Sequence, residues 1–127
     1  MEQDVSRLRP EEPASFNPER LERLCDEIGE VRAEHEVASA LQTISVHLQD
    51  IRRIHPVEDA DCLTGPTRQL AAVSDRIGMA TLARVARDVL ACIGDGDLVA
   101  LAATHARLLR VGERSIHAIW DLEDVSG

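Results

Sequence analysis

The chain reads as an all-α protein, an antiparallel up-down-up-down four-helix bundle with a short N-terminal helix and a mobile N-terminal arm. Three observations predict this. Apolar residues recur at helical spacing through every long segment. No segment alternates with period two, as a half-buried strand would. The breaks between segments are short and rich in Gly, Pro and Asp, which makes consecutive helices antiparallel neighbours.

Residues 1–15 carry Pro10, Pro13 and mixed charge without apolar periodicity, and are expected to be the arm. The bundle is expected over 16–122 and a tail over 123–127. Order begins at Phe16-Asn17-Pro18: Asn17 suits the N-cap, Pro18 the first helical position, and Phe16 and Leu21 the two ends of a hydrophobic staple. Leu21, Leu24, Cys25 and Ile28 then keep helical spacing up to Gly29, which breaks or bends the helix. A long helix follows over roughly 30–54, with Val31, Ala38, Leu41, Ile44, Ser45, Leu48 and Ile51 as one stripe. His55-Pro56 ends it, because a residue before proline avoids the α region.

The acidic loop Pro56 to Gly65 leads to a helix restarting at Thr64 or Gly65, with Leu70, Val73 and Ile77 inward and Gly78 as its interruption. Met79 to Ile93 forms the next helix, with Leu82, Val85, Ala86, Val89 and Leu90 inward. Gly94-Asp95-Gly96-Asp97 is a tight turn whose last Asp is placed to cap the final helix. That helix runs from about Leu98 to Trp120 on Leu98, Leu101, His105, Leu108, Gly112, Ile116 and Ile119. Leu41, Leu48, Leu70, Leu82, Val89, Leu101 and Leu108 are the expected core.

Composition narrows the function. The chain has 127 residues and a formal charge of −9, and its 14 basic residues are all Arg. Hydrophobic residues reach 44%, yet Phe16 and Trp120 are the only aromatics, so the core is aliphatic. An acidic chain poor in aromatics does not suit non-specific nucleic-acid binding. No apolar run approaches the ~20 residues of a membrane helix. The polar, charged start does not read as a secretory signal, and a cytoplasmic location is expected. Cys25, Cys62 and Cys92 are odd in number and widely spaced, against a disulfide framework or zinc site. Cys25 and Cys92 read as small core residues and Cys62 as an exposed thiol. There is no phosphate-binding loop, dinucleotide turn or nucleophile elbow, and no cofactor or metal is called for.

One stretch resembles a known signature. Arg68-Gln69-Leu70-Ala71-Ala72-Val73-Ser74-Asp75-Arg76-Ile77-Gly78 is similar to the His-x-Leu-Lys-Gly-Ser-Ser-x-x-x-Gly pattern of histidine-containing phosphotransfer (Hpt) domains. The downstream helix closing in a Gly-Asp turn and the long last helix resemble that family's continuation, so the likeness spans about residues 18–120. Leu70, Ser74 and Gly78 match the structural positions. The chemical positions depart from the pattern: Arg68 stands where the phosphoryl-accepting His belongs. Ala71 replaces the Lys that balances phosphoryl charge, and Ala72 the Gly that lets a receiver domain approach.

A guanidinium stays protonated at neutral pH and is no nucleophile. The resemblance therefore implies a degenerate member, a pseudo-phosphotransferase adaptor in a two-component phosphorelay. Its partners would be response-regulator receiver domains and, potentially, a sensor kinase. The implied partner-facing residues are Arg68, Ala71, Ala72, Asp75 and Arg76, with no catalytic residue among them. Arg68 is either a solvated surface cation or a fork of donors aimed at the receiver's acidic pocket.

Among the five histidines, His47 beside Ile44 and Ile51 is the alternative phosphoacceptor, half exposed at the stripe's edge. His105 reads as a buried core histidine, His55 as a helix-end cap, and His35 and His117 as surface residues. Arg107, Arg110 and Arg114 share one face of the last helix, ordinarily a solvated face, alternatively a strip for an acidic partner. Charge is uneven: residues 1–63 hold 15 acids and 7 Arg (net −8), residues 64–127 hold 8 acids and 7 Arg (net −1). Two rival readings remain, a working phosphotransfer protein acting through His47 and a self-associating helical module. Oligomeric state is open.

Overall fold

The computed structural model describes residues 17–126, with side chains through Ala118. The arm, Phe16 with its staple, and the side chains of Ile119 and Trp120 lie outside the described residues. Five α-helices follow in order: α1 (Pro18–Ile28), α2 (Glu30–Arg53), α3 (Thr64–Arg76), α4 (Ala80–Asp95) and α5 (Leu98–Ser126). A 3₁₀ turn, Ala60–Leu63, lies between α2 and α3. No strand occurs among the described residues. Helices α2 to α5 pack antiparallel in a ring, each against the next and α5 back against α2, while α1 lies against α2.

The boundaries follow from local chemistry. Asn17 Oδ1 accepts from the Glu19 N–H at 3.1 Å, and Pro18 opens α1. Gly29 breaks the chain into two helices, accepting from Ala33 at the start of α2 and donating to Cys25 at the end of α1. At the far end of α2, His55 Nδ1 accepts from the Val57 and Glu58 N–H groups at 3.2 and 3.1 Å, so this histidine caps the turn. Asp97 Oδ1 accepts from Ala100 at 3.1 Å and caps α5. That helix continues to Ser126, through most of the segment expected as a tail.

The connections α3–α4 and α4–α5 use one device. Met79 N–H donates to Ser74 O at 2.8 Å and Gly78 N–H to Asp75 O at 3.2 Å. Asp97 N–H donates to Cys92 O at 3.3 Å and Gly96 N–H to Ile93 O at 3.2 Å. Both are Schellman closures, which need a left-handed residue after the helix. Gly78 supplies it with φ +84°, and a Cβ there would stand 2.8 Å from the Asn17 carbonyl oxygen. The Asn17 N–H donates to Gly78 O at 2.7 Å, fastening the start of α1 to this turn.

All seven expected core residues are buried, and Ile44, Ile51, Leu63 and Ile77 join them at 0% exposure. Leu63 sits in the 3₁₀ turn, so the interhelix loop contributes to the core. His105 is buried and its Nε2–H donates to the Ile51 carbonyl at 2.9 Å, near the end of α2. Gly112 is buried where α5 meets α2, and a Cβ there would fall 2.6 Å from Leu48 Cδ2.

Several inward assignments need correction. Val31 is 69% exposed and Ala38 is exposed, because the buried stripe of α2 runs through Ala33, Ala40, Ile44, Leu48 and Ile51 instead. Leu98 is 48% exposed, lying in the first turn of α5. Leu90 is only half-buried. Cys25 and Cys92 are half-buried rather than fully buried, Cys92 packing against the core, while Cys62 is exposed as expected. The helix expected from Met79 starts at Ala80, with Met79 buried in the turn.

Gly78→Ala places an L-residue in left-handed backbone and a methyl against a peptide oxygen. It is expected to lower stability by about 2 kcal/mol or more. Urea unfolding followed by far-ultraviolet circular dichroism checks this, with Gly65→Ala as the control in open space.

Candidate functional site

Helix α3 buries one stripe and exposes the other. Thr67, Leu70, Ala71 and Ser74, at i, i+3, i+4 and i+7, are buried. Arg68, Gln69, Ala72, Asp75 and Arg76 are exposed. Of the five residues singled out for partner contact, Ala71 is thus misplaced. At 8% exposure it belongs to the core, and its small side chain suits close packing of α3 in the bundle. A long Lys at that phase of the helix would have to snake out from under its neighbours.

The other four divide between two sides of α3. Asp75 turns toward α1 and α4: Arg87 Nη2 lies 3.2 Å from its carboxylate, and Arg20 Nε–H donates to its backbone oxygen at 3.3 Å. Arg68, Ala72 and Arg76, spaced by four, run along the outer face. Arg76 pairs across the helix interface with Glu36 of α2. Arg68 is exposed and forms no ion pair among the described residues.

A groove of about 320 Å³ opens between α2 and α3 on this side. From α2 it is lined by Glu36, Ser39, Ala40, Thr43 and His47, and from α3 by Gln69, Ala72, Val73 and Arg76. The groove exists because Ser39, Ala40 and Ala72 are too short to close the space between two helices 8–10 Å apart. Thr43 turns its hydroxyl inward to its own helix, donating to Ser39 O at 3.1 Å. His47 is half-buried as expected, and its Nδ1 is fully enclosed without a hydrogen-bond partner. Sequence reasoning brought out His47, Ala72 and Arg76 separately. It missed Glu36, Ser39, Thr43 and Gln69, although 36, 40, 43 and 47 share one helical face.

Arg107, Arg110 and Arg114 do not form a free basic strip: Arg107 lies 3.7 Å from Asp88 of α4. On α5, Glu113 pairs with Arg52 of α2. These exposed pairs tie adjacent helices, each at small energetic value. His35 and His117 are exposed. Among the described residues no group of His, Cys, Asp or Glu is arranged to hold a metal ion, and no helix is long and apolar enough to cross a membrane.

The burial phase of α3 has a direct test. Ala71→Arg is expected to cost about 2 kcal/mol or more by forcing a charged side chain into a packed layer. Ala72→Arg, one residue on but exposed, is expected to stay within about 0.5 kcal/mol. Parallel denaturant titrations of the two variants give the comparison.

No protein-family model, no curated protein and no solved structure matches the chain.

Proposed function

We propose that the chain is an Hpt-like signalling adaptor that docks on response-regulator receiver domains through the outer face of α3 and carries no phosphoryl group there. The observation behind this reading is Arg68. It holds the position of the acceptor histidine in the resemblance, it is exposed, and it has no ion partner among the described residues. Ala72 beside it leaves the helix surface low, so a receiver can approach the backbone closely. A guanidinium set against the carboxylates of a receiver's acidic pocket forms charge-assisted, bidentate hydrogen bonds. It has no lone pair with which to attack an aspartyl phosphate. A partner that approaches by electrostatics would be steered to this side, because the second half of the chain is near neutral while the first carries most of the −9.

A second reading keeps phosphotransfer, through His47. Its place on the wall of the groove that Arg76 also lines favours it over the other four histidines. His105 is buried and hydrogen-bonded, His55 caps a turn, and the other two stand apart from the groove.

Receiver domains titrated against the protein by calorimetry test the adaptor reading. Arg68→Ala is expected to weaken binding at least about tenfold, since truncating one partner of a desolvated charge pair costs ~2–5 kcal/mol. Arg107→Ala is expected to change little beyond the salt dependence. Wild-type affinity in the Arg68→Ala protein would end the adaptor reading. Incubation with a phosphorylated receiver is expected to leave no acid-labile phosphate on the protein; such phosphate, lost in a His47→Gln variant, would establish the second reading.

A further inference from the structure

We infer that Glu36 is a built-in competitor for an acidic side chain that the groove between α2 and α3 receives from a partner protein. The inference rests on the docking reading above and adds what regulates that contact. Arg76 and Glu36 pair across the groove, their side chains 59% and 35% exposed. The groove's own anion therefore comes from α2. The Gln69 amide lines the same groove without a protein partner, and the exposed Arg68 guanidinium, also unpaired among the described residues, lies four helical positions from Ala72 on the side away from Arg76. His47 also lines this groove of about 320 Å³, with its Nδ1 enclosed and without a partner.

The chemistry of the occupant follows from the donors. Arg76 in the groove and the exposed Arg68, four helical positions either side of Ala72, outnumber the one carboxylate of the groove lining, Glu36, on a chain of charge −9. A planar guanidinium prefers a carboxylate in bidentate geometry. An Asp or Glu side chain of an acidic partner segment fits both the charge and the space above Ala72. To take the Arg76 Nη2 that Glu36 holds, it must displace Glu36. The free protein thus holds its docking arginine in a self-neutralised state, and affinity is set by the difference between two carboxylates rather than by one contact. Strongly acidic partners win that exchange and weakly acidic ones do not, which makes Glu36 a specificity filter.

The test uses the full-length protein with two probes, a fluorescein-labelled hexaglutamate peptide and a panel of receiver domains, both read by anisotropy. Glu36→Gln is expected to tighten binding by about two- to fivefold, the range set by releasing one exposed ion pair. Glu34→Gln removes the same charge from an exposed site outside the groove. It is expected to give less than half that gain on a logarithmic scale. In an Arg76→Ala background, Glu36→Gln is expected to add nothing. Unchanged affinity in Glu36→Gln, or an equal gain with Arg76 removed, overturns the competitor role. Tightening seen with the peptide while no receiver binds overturns the docking reading and leaves the competitor role standing. No binding of either probe to any variant overturns both.

Discussion

The turn at Gly78 is where three parts of the molecule are joined. Its left-handed backbone lets α3 close with paired hydrogen bonds, Met79 to Ser74 and Gly78 to Asp75, and sends α4 back antiparallel. The carbonyl oxygen that this conformation points outward is taken by the Asn17 N–H, the first described residue before α1. Arg20 reaches the neighbouring Asp75 carbonyl from the same helix. One residue without a side chain therefore sets the return of the chain, the entry of α1 and the satisfaction of the last carbonyls of α3. Any Cβ meets the Asn17 oxygen, so the close passage of the two backbone segments and the choice of glycine are one fact.

With almost no aromatic residues available, the core is filled by Leu, Ile, Val and Ala from all four bundle helices. Such side chains interdigitate well where both facing layers are large, as around Ile44, Leu70, Leu82 and Leu108. Where the facing edges of α2 and α3 carry the short side chains Ser39, Ala40, Thr43 and Ala72, the same helices leave a groove. The recess beside Ala72 is thus a property of residue size along two helix edges. The charges that line it, Glu36 and Arg76, are long side chains paired across it.

The helical class, the order of the helices and most of the core are written plainly in apolar spacing and in the Gly, Pro and Asx residues at the breaks. The errors are instructive. At the start of α2, Val31 and Ala38 compete with Ala33 and Ala40 for the inward phase, and hydrophobicity favours the wrong pair. The later residues Ile44, Leu48 and Ile51 fix the true phase. Leu98 was placed inward by its type, but a first-turn residue at the end of a bundle has little above it to pack against. For α3 the buried stripe Thr67, Leu70, Ala71 and Ser74 is itself legible, and it contradicts any surface role for Ala71. The groove was not legible. It depends on which residue of α2 stands beside which residue of α3, and a single sequence carries no register between helices.

Leu48, on the buried side of α2, faces Gly112 of α5 and is the immediate neighbour of His47 in the chain. Since a methyl on residue 112 would fall 2.6 Å from Leu48 Cδ2, the spacing of α5 and α2 is set at van der Waals closure. A side chain at position 112 would therefore press first on Leu48, and a shorter residue at position 48 would make room for it.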